Sequence, residues 1–187
     1  MYDMSEIRKG LKIKLDGHPY TIIEFQFVKP GKGQSFTRTR LRNMMTGSVI
    51  DRTFKSNERL EPADLETKQM QYLYPEGDAY VFMDTSSYEQ INLQADQLAD
   101  SRFYLTDNTM VDVLFWDGRA IGVTPPIFVV LKVVETEPGF KGDTSSNATK
   151  PAKLESGLEV GVPLFVNEGE YLKIDTRTGE YVERVKK

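Results

Sequence analysis

Short apolar–polar alternations, broken by turn residues, recur along all 187 residues, while long helical periodicity is scarce. This pattern confines the chain to an all-β class built from several small units. In the first third, Leu11-Lys12-Ile13-Lys14-Leu15 alternates up to Asp16-Gly17, a strong turn pair. A strand over 20–28 follows, and Thr46-Gly47 precedes another over 48–54; together they predict a compact barrel-like domain over 1–62, with Glu61-Pro62-Ala63-Asp64 as a linker. The middle third, 63–127, reads as strands at 70–74 and 79–83 around a Pro75-Glu76-Gly77-Asp78 turn. A short helix over 95–101 comes next, then a hairpin of 111–116 and 120–123 about Asp117-Gly118. Pro125-Pro126 interrupts pairing and sets the boundary. The last third, 128–187, repeats the theme with strands at 128–134, 158–164, 171–175 and 181–185, and a mobile loop over 142–151. Two successive units of roughly 60 residues with several short strands fit small Greek-key barrels of the OB kind.

Between the strands at 20–28 and 36–42 stands Lys29-Pro30-Gly31-Lys32-Gly33-Gln34-Ser35. The spacing predicts a hairpin whose tip holds Lys32 between two glycines, with Pro30 restraining the chain before the turn. On the returning arm Arg38, Arg40 and Arg42 share one face if the segment is extended. A cation on so narrow a support suits reaching into a confined, anionic place.

The formal charge of −4 conceals an uneven distribution. Residues 1–62 carry 12 Lys/Arg against 7 Asp/Glu (+5), residues 63–127 carry 3 against 11 (−8), and residues 128–187 carry 9 against 10 (−1). A basic third joined to an acidic one is the pattern expected when only some faces meet nucleic acid. No run of about 18 apolar residues exists, so no transmembrane helix is expected, and the polar start does not resemble a signal peptide. The chain lacks cysteine, which excludes disulfides and thiolate metal sites and fits a reducing cytoplasm.

Catalytic groups are few. His18, the only histidine, sits beside a turn; with no cysteine, neither a Ser-His-Asp nor a Cys-His arrangement exists, and no metal or cofactor site is expected. Gly31-Lys32-Gly33 lacks the Walker spacing and no helix follows it. Tyr72, Tyr74, Tyr80, Phe82, Phe103, Tyr104, Phe115 and Trp116 are at strand spacing and read mostly as core, although stacking on nucleobases is the other use of such residues. These residues make a poor enzyme; a generic OB-type RNA-binding protein is one reading of them and a small enzyme working through a carboxylate pair another.

The loop from Lys29 to Gln34, with Phe36 and the arginine-rich arm after it, resembles the tip loop of the bacterial elongation factor P family. Thr53-Phe54-Lys55-Ser56, Val123-Thr124-Pro125-Pro126, Pro138-Gly139-Phe140-Lys141-Gly142-Asp143-Thr144 and Ile174-Asp175-Thr176-Arg177-Thr178-Gly179-Glu180-Tyr181 are similar to that family too, in order along the chain. The resemblance implies an N-terminal KOW-like (SH3-like) barrel followed by two OB barrels in a tRNA-like shape. It implies a cytoplasmic, monomeric translation factor, not an enzyme, that binds the 70S ribosome between the P and E sites and relieves stalling at consecutive prolines. The implied partners are ribosomal RNA, P-site peptidyl-tRNA, mRNA in the E site and a lysine-modifying enzyme, with no membrane. By the same resemblance Lys32 is the modified tip near the peptidyl-transferase centre, and Lys29, Pro30, Gly31, Gly33 and Gln34 complete its loop. Gly142, Asp143 and Thr144 form an E-site codon loop. Tyr181 and Arg184 face ribosomal RNA, alongside the hairpin arginines Arg38, Arg40 and Arg42.

Overall fold

The computed structural model describes residues 1–139 and 148–187. It contains three five-stranded sheets, and the chain divides into two compact units. One unit comprises Met1–Glu66 with Leu114–Ile121, the other Thr67–Val113 with Gly122–Lys187.

The first sheet is built from β1 (Lys12–Leu15), β2 (His18–Val28), β3 (Phe36–Asn43), β4 (Val49–Lys55) and β5 (Glu61–Pro62), in the order β4-β3-β2-β1-β5. Asp16 and Gly17 both hold positive φ (51° and 80°), the requirement of the two-residue turn that follows strand twist without splaying the hairpin. The core is Ile7, Leu11, Ile13, Tyr20, Ile22, Leu41, Phe54 and Leu60. Glu61 and Pro62 are not a linker but a short edge strand paired with Lys14 and Ile13. Edge pairing suits a proline, which has no N–H to donate.

The second sheet takes β6 (Leu65–Glu76), β7 (Ala79–Asp84), β8 (Gln90–Gln94), β9 (Met110–Trp116) and β10 (Arg119–Thr124), ordered β10-β9-β6-β7-β8. Between β8 and β9, α1 (Ala95–Leu98) continues into a 3₁₀ helix, Ala99–Tyr104. Met70, Tyr72, Val81, Phe82, Leu93, Val111 and Val113 are buried, and the Tyr72 and Phe82 rings meet at 5.4 Å. Of the aromatics read as core, Tyr72, Phe82, Tyr104 and Trp116 are buried, whereas Tyr74 is exposed.

In the third sheet β11 (Phe128–Thr136), β12 (Thr149–Leu154), β13 (Glu159–Pro163), β14 (Tyr171–Asp175) and β15 (Glu180–Val185) are ordered β13-β12-β11-β14-β15. Of the loop expected over 142–151, residues 142–147 lie outside the described residues and Thr149 already starts β12; Lys150 there is buried, its ammonium donating to the Glu137 carbonyl. Tyr104 belongs to this sheet's core cluster, with Val129, Leu131, Val133, Leu154, Val162, Leu172 and Ile174. The neighbouring Phe103 carbonyl accepts a hydrogen bond from the Ser156 hydroxyl. No helix among the described residues is long and apolar enough to cross a membrane.

Candidate nucleic-acid interface

Strands β2 and β3 form the expected hairpin, paired from Tyr20↔Asn43 to Val28↔Phe36, with a bulge between Ile22 and Glu24. Beyond that bulge the outer half carries few buried residues on β2, since Glu24, Phe25, Gln26 and Phe27 are all exposed. The seven residues 29–35 close the hairpin, and Lys32 is exposed at their centre. Gly33 has φ +99°, a conformation that side chains with a Cβ rarely adopt, so glycine at this position lets the backbone turn. The base of the loop is tied to the end of β4: the Ser56 N–H donates to the Ser35 carbonyl (3.1 Å), and the Gln34 amide donates to the Ser56 hydroxyl (3.2 Å). Ser56 thus braces the loop on which Lys32 sits.

On β3, burial alternates from Thr37 to Asn43, leaving Arg38, Arg40 and Arg42 together on the exposed face, as the alternation predicts. Their electrostatic surroundings differ. Arg40 lies between two carboxylates, its Nη1 3.4 Å from Glu24 and its Nε 3.1 Å from Asp51, in one cross-strand row. The hydrogen bond to Asp51, reinforced by the charges of Asp51 and Glu24, raises its pKa above the ordinary arginine value. Arg38 instead has Gln26 and Thr53 as cross-strand neighbours, and its guanidinium lies 5.5 Å from the Phe36 ring centroid. Arg42 faces Thr21 and Val49. Among the described residues neither Arg38 nor Arg42 has a salt-bridging carboxylate. A shallow groove of about 600 Å³ runs over this part of the sheet, with Glu24, Arg38, Arg40 and Asp51 in its lining. Chemically, the face offers two available guanidiniums flanking a neutralised row, an arrangement suited to phosphate oxygens.

The exposed rings of Phe25 and Phe27 were not singled out by sequence reasoning, because aromatics in a strand read as core. The signal was the length of β2: eleven residues reach beyond what a small barrel covers.

The other candidates lie outside this hairpin. Tyr181 on β15 is half-buried against the third core. Arg184 is held 3.1 Å from Glu170 and stacks 4.3 Å from the centroid of Phe165, an exposed ring. Gly142, Asp143 and Thr144 lie outside the described residues.

Family models cover the chain in three consecutive segments. Residues 3–60 match the elongation factor P KOW-like domain, residues 65–123 the elongation factor P OB domain, and residues 129–184 the elongation factor P C-terminal region. Among curated proteins, elongation factor P of Thermoanaerobacter sp. is 51% identical over 185 residues, covering 99% of this chain and all of that protein. Elongation factor P of Bdellovibrio bacteriovorus is 52% identical over 99% of this chain and 98% of its own length. The solved structure of eukaryotic translation initiation factor 5A from Methanococcus jannaschii superposes with a TM-score of 0.56 at 20% identity, covering 66% of this chain and 92% of that one, a likeness of fold. The expected all-β architecture, KOW-like at its start and OB-type after it, is the one found. The chain belongs to the elongation factor P family of translation elongation factors.

Proposed function

We propose that this translation factor binds the ribosome between the P and E sites and promotes peptide-bond formation at consecutive prolines by positioning peptidyl-tRNA, with Lys32 as the working tip. The observation that carries the reading is an exposed lysine at the end of a hairpin, braced at its base by Ser56 and faced with arginines, in a chain of this family. In this reading Lys32 approaches the peptidyl-transferase centre and is the target of a lysine-modifying enzyme, and Lys29, Pro30, Gly31, Gly33 and Gln34 shape its approach. Arg38 and Arg42 contact RNA phosphate, while Arg40 chiefly locks the sheet. Tyr181 and Arg184 face ribosomal RNA, and Gly142, Asp143 and Thr144 reach toward mRNA in the E site. Domains of 1–62, 63–127 and 128–187 in a cytoplasmic monomer belong to the same reading; the three family-model segments support the division.

The factor supplies no chemistry of its own. Proline is a poor acceptor, because its ring restrains φ and its amine is secondary and hindered, so productive alignment of the two tRNA ends is rare. Steadying the peptidyl-tRNA raises the fraction of near-attack geometries, an entropic contribution. Recovering about 1.4 kcal/mol accelerates the step roughly tenfold.

The test is synthesis of a reporter containing consecutive prolines in a reconstituted bacterial system with no factor, with protein from its own host, or with Lys32→Ala. Host protein relieves the stall, and Lys32→Ala loses most of that activity while still binding ribosomes. Failure of the host protein to relieve the stall, with RNA binding retained, would make it a generic RNA-binding protein.

A further inference from the structure

We infer that Phe25 and Phe27 form a stacking platform for unpaired nucleotides on the hairpin that carries Lys32, a proposal that rests on the ribosomal reading above. The two residues alternate on β2 and pair with Thr39 and Thr37, so their rings project from one face, opposite the face of Arg38, Arg40 and Arg42. Phe25 is 46% and Phe27 57% exposed, and neither belongs to the core of its sheet, which stops at Ile22, Leu41 and Phe54. The floor beneath them is poor in polar groups: Thr37 and Thr39 are buried, and the Thr39 hydroxyl already donates to the Arg52 carbonyl at 2.6 Å. What such a surface recognises is therefore flat and apolar.

Charge decides which flat, apolar ligand it is. The rings stand on a hairpin whose closing loop carries the exposed Lys29 and Lys32, within a stretch of +5. A ligand complementary to both features has π faces and a negative backbone. Single-stranded RNA has both, whereas a duplex hides its base faces and an apolar protein segment has no use for the cations. Stacking also tolerates any base, since each has a π face.

The experiment titrates full-length protein against a short single-stranded RNA containing 2-aminopurine, whose fluorescence is quenched on stacking. Phe25→Leu and Phe27→Leu retain apolar area but remove the ring; Phe25→Tyr and Phe27→Tyr retain the ring. The expected result is a roughly tenfold loss of affinity for each leucine variant, with diminished quenching, and near-native behaviour of the tyrosine variants. All these sites are exposed, and circular dichroism checks that each variant folds. Leucine variants that bind and quench like the native protein overturn the platform and mark an apolar surface for a protein partner. Concentration-dependent self-association that the leucine variants abolish overturns it in favour of a second copy of this chain. Relief of the proline stall without quenching sinks the platform alone, and quenching without relief sinks the ribosomal reading alone.

Discussion

Arg38, Arg40 and Arg42 are one residue type at one periodicity, and sequence alone assigns them one role; the structure separates them by their neighbours. Arg40 is paired on both sides across the sheet, so its charge is spent on Glu24 and Asp51, while Arg38 and Arg42 face neutral partners. Strand alternation was legible because it depends only on a two-residue period. Which carboxylates sit opposite was not, because register across β2, β3 and β4 is a tertiary property, shifted here by the bulge after Ile22. A consequence is that Asp51→Asn removes a phosphate-repelling charge and loosens Arg40's pairing. Ribosome binding by this variant is expected to tighten at low salt, with a dependence on log salt steeper by about 1. Filter binding across a salt series checks it, and the fold is expected to persist because exposed ion pairs contribute little to stability.

Elements with strong local chemistry were the legible ones. The Asp16-Gly17 and Asp117-Gly118 turns adopt the paired positive φ values that their hairpins require. By contrast, β12 was hidden because one of its inward positions is Lys150 and an outward one is Pro151, so hydrophobic alternation breaks where burial alternation does not. The Lys150 ammonium is accommodated by the Glu137 carbonyl, a partner no local pattern announces. Likewise β8 is a short edge strand with only Ile91 and Leu93 as apolar residues. The turn joining β14 to β15 carries its own electrostatic lock. Asp175 accepts from the Arg177 side chain (Nη2 2.8 Å, Nε 3.1 Å) and from the Arg177 backbone N–H (2.9 Å), and these bonds lower its pKa below the ordinary 3.8. Its folded value is depressed, so its stabilising contribution is complete above pH 3.8 and is lost as pH falls through the lowered value. Asp175→Asn is expected to destabilise the third sheet at neutral pH and to flatten the acid limb of the stability profile below pH 4. Urea unfolding at a series of pH values measures both effects.

At the scale of the molecule, charge is the clearest sequence signal: the basic stretch coincides with the unit that bears the hairpin, and the acidic stretch with the second sheet. The number of sheets was legible too. How they share cores was not, since Tyr104 precedes the third sheet in sequence yet is buried in that sheet's cluster. Residues far apart in the chain made that placement, and alternation has no access to them. The consequence is thermodynamic. A ring that fills a neighbour's core ties the melting of one sheet to that of the next, so calorimetry is expected to resolve two transitions rather than three. Tyr104→Ala, which vacates that core at about 3 kcal/mol by the scale for buried aromatic truncations, splits the second transition in two. Three transitions in the native protein would show the coupling to be weak. Heated slowly, a molecule drawn as three barrels is thus expected to come apart as two.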